Sequence, residues 1–245
     1  KPLIAGCLSV AILVSYSRIH TGSHYPLDVL GGAGLGILVA GCLLGLDHLR
    51  PFIRLEDYNR ARFSWKGFLV LFLFMITAYR LSFIFNGPYA LDGDEAQYWD
   101  WSRNLDWAYY SKPPLIAWLI RFTTTLFGVS EFGIRIGAVI ISVLLSLITW
   151  RLVKDLFGSE RIAAACILLM NLIPLFAVGA VLMTTDVPLM LFWAAGLYCF
   201  YQAVWRERKN FWYLWGICFG LGLLSKYAMI YQPMCLLLYL ITARE

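Results

Sequence analysis

The chain has 245 residues, of which 60% are hydrophobic and 14% are charged, and its mean hydropathy is +0.70. Soluble domains rarely have such a composition, so we expect an integral membrane protein. The formal net charge of +5 is carried mostly by a few short loops. It does not suggest a nucleic-acid-binding protein, and anionic membrane lipids are the expected partners of the basic loops.

About eight apolar runs approach the roughly 20 residues that cross a bilayer as a helix. They begin near Leu3, Leu27, Phe68, Ile134, Ile162, Val187, Phe211 and Ala228. We therefore predict an all-α, polytopic membrane protein with about eight membrane helices. The clearest runs cover residues 67–85 and 187–205. The last two runs are short, so tilt, short helices or a break is expected near Lys226.

The basic residues that set the orientation gather at positions 50–66, 151–161 and 206–209. Positive residues in short loops favour the cytoplasmic side, so these loops are expected to be cytoplasmic. The segments between them, including residues 17–27, residues 86–131 and the turn before Asp186, then face the opposite side. Functional groups in these segments are expected to work on the outward surface.

A first polar constellation lies in SRIHTGSHYPLD, residues 17–28. Arg18, next to Ser17, offers a planar fork of donors that suits phosphate oxygens. His24 precedes Asp28 by four residues, so that at a helix start the carboxylate can fix the tautomer of the imidazole. This pattern indicates phosphoryl transfer through a phosphohistidine. The alternative is a polar loop whose histidines lie at the membrane interface.

This spacing, followed by VLGGAGLG, resembles the third signature of the type 2 phosphatidic acid phosphatase family. The resemblance implies that His24 is the nucleophile, that Asp28 orients it, and that Arg18 binds phosphate with Ser17 beside it. The two upstream signatures of that family do not occur in the chain. Residues 1–50 are therefore expected to be the C-terminal part of such a domain and to hydrolyse nothing alone.

A second constellation, ALDGDEAQYWDWSRNLDWAYYSKPPLIAWL, covers residues 90–119. From Asp94 onward the sequence predicts an outward amphipathic helix, with Tyr98 and the neighbouring tryptophans anchored among lipid headgroups. Asp94 and Glu95 are adjacent carboxylates that repel each other, so one is expected to hold its proton more tightly unless a cation or metal intervenes. Such a carboxylate can act as a general base. The alternative is a solvated loop in which Asp94 caps the helix.

Three further charges are expected on the same outward side. Lys112 precedes two prolines that fix the backbone, which suits contact with a lipid phosphate. Asp186 precedes Val187 and Pro188 at the mouth of an apolar run, where it serves as a helix cap, a site residue or both. Lys226 interrupts apolar sequence and is expected to join the other charges on the outward side. The alternative is that it only extends its ammonium towards the membrane surface.

In this order, the motifs DGDEAQYWDW, SKPPL, SEFGIRIGAVI, MTTDVPLML and GLGLLSKYA resemble the GT-C glycosyltransferases. The resemblance is to their protein O-mannosyltransferase-like and lipid A aminoarabinose transferase-like branch, and it runs through residues 65–245. It implies a membrane enzyme that moves a sugar from a polyprenyl-phosphate carrier to a hydroxyl or phosphate, usually with inversion.

The resemblance also implies roles for individual residues. Asp94 is the candidate base or acceptor-binding carboxylate with Glu95 beside it, Asp186 is the second acid, Lys112 holds the carrier phosphate, and Lys226 assists. No cofactor is certain, and a divalent metal is possible at Asp94 and Asp186. Several branches carry glutamate where this chain has Ser111, which leaves a metal or acceptor role at that position open.

Together these observations predict three regions. Residues 1–50 are the end of a phosphatase-like domain, residues 51–66 a cytoplasmic linker, and residues 67–245 the N-terminal part of a glycosyltransferase domain. The chain begins without methionine and stops after an apolar run, so it is expected to be an internal piece of a longer protein. The expected location is the bacterial inner membrane, with sites facing the periplasm.

The predicted function is transfer of a sugar from a polyprenyl-phosphate donor to lipid A, another glycolipid, a glycan or a protein. One alternative is that a lipid or polyprenyl phosphate phosphatase is the main activity. Another is a flippase or transporter with a pathway lined by Arg80, Arg135, Asp186 and Lys226. The transporter would require polar residues near the midplane and repeated topology, whereas the acids are expected at membrane surfaces and no repeat is evident.

Overall fold

The computed structural model of the protein describes residues 64–87 and 90–242, together with Tyr16. The predicted phosphatase constellation, Ser17, Arg18, His24 and Asp28, therefore lies outside the described residues. So do the first two predicted membrane runs and the predicted linker up to residue 63. Within the described part of the chain every regular element is a helix, in agreement with the predicted all-α class.

The elements are labelled here in chain order. They are α1 (Trp65–Asn86), α2 (Gly93–Arg103), α3 (Leu115–Phe127), α4 (Glu131–Phe157), α5 (Glu160–Leu172), α6 (Pro174–Gly179), α7 (Asp186–Val204), α8 (Phe211–Ser225), a 3₁₀ turn (Tyr227–Ile230) and α9 (Tyr231–Thr242).

Local sequence explains where several helices begin and end. Ser64, Ser130 and Ser159 are the N-caps of α1, α4 and α5, and each hydroxyl accepts the backbone N–H three residues further on, which that turn of the helix leaves free. Gly158 ends α4 with φ +65°, a left-handed conformation that glycine adopts without steric cost. Pro174 opens α6 at a position where its missing N–H is not needed.

Three of the described helices, α1, α4 and α7, are long and apolar enough to cross a membrane. Three shorter apolar segments also occur, Leu115–Phe127, Phe211–Ser225 and Tyr227–Ile241, and the total of eight membrane helices stays a prediction. The break expected near Lys226 is present, because α8 stops at Ser225 and Lys226 has an extended backbone, φ −160° and ψ 134°.

The main apolar core surrounds α4. Its buried members come from α2, α3, α4 and the chain around the start of α7, and they are Tyr98, Ile116, Ile120, Ile134, Ala138, Ile141, Met183 and Val187. A smaller cluster joins α1 to α5 through Leu69, Leu73 and Ile167. Since the main core contains the first turns of α3, α4 and α7, the polar segments before these helices meet at one end of the bundle.

Candidate active site

Asp94 and Glu95 are adjacent in sequence but lie in opposite environments. Residues 95, 98 and 102 form the buried face of α2, as expected for positions three and four apart on a helix. Glu95 is 0% exposed whereas Asp94 is exposed. The Asp92 N–H donates to Glu95 Oε2 at 3.3 Å, the capping-box contact that starts α2. The interpretation of Asp94 as the cap is therefore wrong, because Asp92 occupies that position.

The Glu95 carboxylate ties three separate segments together. Arg135 of α4 donates to it from Nη2 at 2.7 Å and from Nε at 3.1 Å, and the Met183 N–H donates to Oε1 at 2.9 Å. Arg135 Nη2 also donates to the carbonyl of Ala90 at 3.1 Å. Arg135 is thus the counter-ion of Glu95. The pair fixes the start of α2 against α4 and against the chain before α7.

Asp94 has a single described hydrogen-bond partner, the hydroxyl of Tyr98, which donates to Oδ2 at 3.3 Å. Burial raises the pKa of Tyr98 to about 12, and the negative charges of Asp94 and Asp186 add to this while a hydrogen bond with Thr185 opposes it. The hydroxyl therefore remains a donor at neutral pH. The prediction that Tyr98 anchors α2 among headgroups is wrong, because it is 1% exposed.

Asp186 and Lys226 form an ion pair across α7 and the end of α8. Lys226 Nζ lies 2.6 Å from Asp186 Oδ1, with the two side chains 27% and 50% exposed. Asp186 is the first residue of α7, and Thr185 before it is the N-cap. A carboxylate in the first turn is favoured by the helix dipole. Because Thr185 and Asp186 both act on Tyr98, this pair lies near the Asp94 side of the site.

Lys112 lies in the loop between α2 and α3. The ring of Tyr109 stacks on Trp101 at 4.8 Å, and its hydroxyl donates to the carbonyls of Trp101 and Asn104 at 3.1 Å each. The two prolines after Lys112 are buried, and Pro114 is the N-cap of α3. The loop is thus held at both ends. Lys112 is half-buried, and none of the ion pairs among the described residues includes it.

The residues that follow the two lysines in sequence, Pro113 and Tyr227, line an apolar groove. It has a volume of about 620 Å³ and runs between the loop before α3 and the face of α8, where Trp107, Pro113, Pro114, Gly220, Leu224 and Tyr227 line it. Lys112 immediately precedes Pro113, and Lys226 immediately precedes Tyr227. Neither lysine is among the lining residues of the groove, and the Lys226 ammonium lies at Asp186.

A divalent metal at Asp94 and Asp186 stays a prediction. Among the residues that the structure describes, no group of three or more His, Cys, Asp or Glu side chains comes together. Magnesium is usually held by one or two carboxylates together with waters and substrate phosphates. Here one oxygen of Asp186 is held by Lys226 and one oxygen of Asp94 is held by Tyr98, so the second oxygen of each carboxylate is the one that would hold the ion.

Sequence reasoning identified four of the charged groups that the fold brings to this end of the bundle, Asp94, Asp186, Lys112 and Lys226. It did not predict the ion pair between Arg135 and Glu95 or the hydrogen bond from Tyr98 to Asp94. The second contact has a sequence signal, since residues 94 and 98 are four apart on one helix. The ion pair between Arg135 and Glu95 joins residues 40 positions apart, and no local sequence pattern predicts it.

Comparison with known proteins agrees with both resemblances. The family model described as dolichyl-phosphate-mannose-protein mannosyltransferase matches residues 111–245, which is more than half of the chain. The PAP2 superfamily model matches residues 1–51, the region that resembles the end of a type 2 phosphatidic acid phosphatase.

Two curated relatives match the glycosyltransferase part. The chain is 37% identical over 139 residues to "Lipid A galacturonosyltransferase RgtD" of Rhizobium johnstonii, which covers 56% of the chain and 29% of the relative. It is 31% identical over 123 residues to "Undecaprenyl phosphate-alpha-4-amino-4-deoxy-L-arabinose arabinosyl transferase" of Pseudomonas aeruginosa, which covers 48% of the chain and 22% of the relative. The chain thus spans less than a third of these relatives.

The fold is similar to the crystal structure of ArnT from Cupriavidus metallidurans in the apo state. The TM-score is 0.61 at 20% identity, and the match covers 74% of this chain and 36% of that one. At this identity the likeness shows the fold alone. The family model covers residues 111–245, and on that basis the chain belongs to the dolichyl-phosphate-mannose-protein mannosyltransferase family.

Proposed function

We propose that the protein is a membrane glycosyltransferase that moves a sugar from a polyprenyl-phosphate donor to a hydroxyl group of an acceptor on the periplasmic face. The observation that carries this proposal is the juxtaposition of an exposed carboxylate, Asp94, and a carboxylate–lysine pair, Asp186 and Lys226, around the hydroxyl of Tyr98. The names of the two relatives, an undecaprenyl-phosphate-dependent transferase and a lipid A transferase, suggest the classes of donor and acceptor.

In the proposed reaction, the acceptor oxygen forms a bond to the anomeric carbon of the sugar while the bond from that carbon to the carrier phosphate breaks. The proton of the acceptor hydroxyl moves to a carboxylate, and the electron pair of the broken bond leaves with the phosphate oxygen. Attack from the face opposite to the phosphate gives inversion. The protein must therefore supply a base on one side of the sugar and positive charge on the other.

Asp94 is the better candidate for the base. Its described partner is a neutral hydroxyl at 3.3 Å, whereas Asp186 lies 2.6 Å from an ammonium group. An acceptor hydroxyl can reach the Asp94 oxygen that Tyr98 does not contact, whereas the Lys226 ammonium occupies one side of the Asp186 carboxylate. We assign Asp186 to hold Lys226 and to orient the acceptor. A metal is not needed in this scheme.

Lys112 and Lys226 are assigned to the carrier phosphate. Each immediately precedes a residue that lines the apolar groove of about 620 Å³, so we propose that a polyprenyl chain in the groove brings its phosphate towards them. Charge on the phosphate oxygen grows as the sugar leaves, and a nearby ammonium group stabilises that charge in the transition state. No ion pair among the described residues includes Lys112, so we assign its charge to the phosphate.

Glu95 is reassigned from the catalytic set to a positioning role. Both of its oxygens already accept hydrogen bonds, and the side chain is 0% exposed. A substrate hydroxyl would have to displace Arg135 or the Met183 N–H to reach it. We propose that Glu95 holds α2 so that Asp94, one residue earlier, faces the substrate.

The test is Asp94→Asn in the full-length protein, reconstituted in vesicles with undecaprenyl-phosphate galacturonic acid or undecaprenyl-phosphate 4-amino-4-deoxy-arabinose as donor and lipid A as acceptor. Loss of a general base lowers kcat by about 100- to 10,000-fold. The matched control is Asp100→Asn, which removes an exposed carboxylate from the same helix. Asp94→Asn with unchanged kcat would refute the assignment, and wild-type protein without transfer would refute the function.

The PAP2 match to residues 1–51 favours a second candidate activity, lipid phosphate hydrolysis. In this proposal His24 attacks the phosphate, Asp28 orients the imidazole of His24, and Arg18 with Ser17 binds the phosphate oxygens. These residues lie outside the described part of the chain, so the proposal depends on the sequence pattern and the family match. It does not compete with sugar transfer, because the two residue sets do not overlap.

A further inference from the structure

The threonine at the N-cap of α7 does not cap its own helix. Thr185 holds that position, where a threonine hydroxyl usually accepts the backbone N–H of the second or third helical residue. Its side chain makes no such bond. Val187 donates its N–H to the carbonyl of Thr184 at 3.2 Å, and Pro188 has no N–H. The sequence TDVP therefore leaves the Thr185 hydroxyl without a capping partner in α7.

This hydroxyl is instead buried against Tyr98. The two residues are 2% and 1% exposed, and their hydroxyl groups are hydrogen-bonded to each other. Tyr98 donates its own proton to Asp94 Oδ2 at 3.3 Å. Because a hydroxyl carries one proton, Thr185 must be the donor in its contact with Tyr98. Thr185, Tyr98 and Asp94 thus form a chain of two hydrogen bonds that runs from α7 to α2.

The segment before α7 meets α2 at two points, which differ in what they hold. The Met183 N–H donates to Glu95 Oε1 at 2.9 Å, and Thr185 donates to Tyr98. Residues 95 and 98 lie on the same buried face of α2, three apart, as neighbours on a helix do. The first contact fixes the backbone of this segment against α2. The second ends at the side chain that holds Asp94.

The Thr185 contact fixes the direction of the Tyr98 proton. A tyrosine hydroxyl can turn its proton to suit its surroundings, but here one side of its oxygen is occupied by the Thr185 donor. The Tyr98 proton therefore points to Asp94. Hydrogen bonds in such a chain also polarise and strengthen one another. An exposed carboxylate changes rotamer readily, and this bond from Tyr98 holds Asp94 in one orientation.

We propose that Thr185 is a positioning residue of the transfer reaction, which acts through the hydroxyl of Tyr98 to aim the Asp94 carboxylate at the acceptor. The inference rests on the proposed function, in which Asp94 is the base. The acceptor O–H bond breaks and its proton bonds to the Asp94 oxygen that Tyr98 does not contact. The acceptor oxygen bonds to the anomeric carbon, and the phosphate oxygen leaves with the electron pair. Thr185 and Tyr98 exchange no proton with a substrate.

The first experiment removes single hydroxyl groups from the full-length protein in the vesicle transfer assay described above. Thr185→Val keeps the branched shape without the hydroxyl, and Thr185→Ser keeps the hydroxyl without the methyl group. Tyr98→Phe removes the middle hydroxyl and retains the ring in the core, so it tests the same chain if Thr185→Val does not fold. The matched control is Tyr201→Phe, which removes a hydroxyl that donates to the carbonyl of Asp155 at 2.9 Å.

The expected result is a loss of kcat with KM retained. Thr185→Val and Tyr98→Phe lower kcat by about ten- to 100-fold, as a misplacement of roughly 1 Å does. KM for both substrates stays within about two-fold, because neither side chain contacts a substrate. Thr185→Ser and Tyr201→Phe keep kcat within about three-fold of wild type. Wild-type kcat in Thr185→Val would overturn the proposal. A serine variant as slow as the valine variant, with an equally lowered melting temperature, would show a structural contact alone.

A second measurement asks whether Thr185 acts through Asp94. Thr185→Val is combined with Asp94→Asn, and the residual rate is measured in single turnovers with the protein in excess. Residues that act as one unit are not additive, so Thr185→Val should have no further effect in this background. A further ten-fold loss, about 1.4 kcal/mol, would overturn the inference and leave the proposed function standing. Wild-type protein without transfer would overturn both.

Discussion

At the scale of single residues, the site depends on two adjacent acids with different environments. Asp94 is exposed with a tyrosine hydroxyl as its partner, and Glu95 is buried with Arg135. A buried ion pair gives little net stability, but the loss of one partner is costly because the other charge is left unpaired. The position of Asp94 therefore depends on a contact made by its neighbour.

Glu95→Gln is expected to destabilise the protein by about 3–5 kcal/mol, because the buried guanidinium of Arg135 then loses its ion pair with the Glu95 carboxylate. Thermal unfolding of the detergent-solubilised full-length protein would measure this change. The control is Asp100→Asn, which breaks an exposed pair with Arg103 at 3.5 Å, worth about 1 kcal/mol or less. Equal melting temperatures for the two variants would contradict the role assigned to Glu95.

At the scale of the elements, close helix contacts shape the half of the bundle that carries Lys226. Gln232 of α9 is 1% exposed and donates from Nε2 to the carbonyl of Trp193 in α7 at 2.8 Å. Gly196 makes room for this side chain, because a Cβ there would lie 2.5 Å from Gln232 Oε1. The absence of a side chain at residue 196 allows α9 to pack against α7.

Gly196→Ala is expected to displace Gln232 and to destabilise the protein by about 1–3 kcal/mol, as overpacking usually does. Gly216→Ala is the matched control, since nothing lies within 4 Å of a Cβ at that position. In a helix interior alanine is favoured over glycine by up to about 1 kcal/mol. Melting temperatures should therefore move in opposite directions, and a lower melting temperature for Gly216→Ala alone would disprove the packing argument.

The sequence predicts those parts of the fold and site that depend on residues close together along the chain, and it does not predict contacts between residues far apart in sequence. Hydropathy predicted α1 and α7 to within about two residues and the break at Lys226, because these depend on local composition. The motif around Asp94 predicted an acidic helix. The environment of Glu95 was not predictable, because it depends on Arg135 and Met183, which are 40 and 88 residues away. Tyr98 was misplaced because an amphipathic pattern does not say which face meets protein.

At the scale of the whole molecule, two candidate activities are assigned to separate parts of the chain. The PAP2 match ends at residue 51, and the other family match begins at residue 111. The described residues from Ser64 to Leu240 form one compact unit. Two activities with separate residue sets are expected to respond separately to substitution.

His24→Ala in the full-length protein is expected to abolish phosphate release from a polyprenyl phosphate or diphosphate and to leave sugar transfer within about two-fold. Asp94→Asn is expected to do the reverse. Phosphate release and sugar transfer are measured on the same preparations. Loss of both activities in either variant would show that the two sites are coupled or that one of the assignments is wrong.

The burial of Glu95 against Arg135 has a consequence for how substrates approach. The sequence suggests three acids and two lysines at the site, an excess of negative charge that would repel a phosphate-bearing lipid. With the Glu95 charge neutralised by Arg135 inside the protein, the remaining charged groups among the described residues that are assigned to the site are Asp94, Asp186, Lys112 and Lys226, which sum to zero. Long-range attraction then contributes little to capture of the donor. Capture is expected to respond weakly to ionic strength and to depend on lateral diffusion within the bilayer.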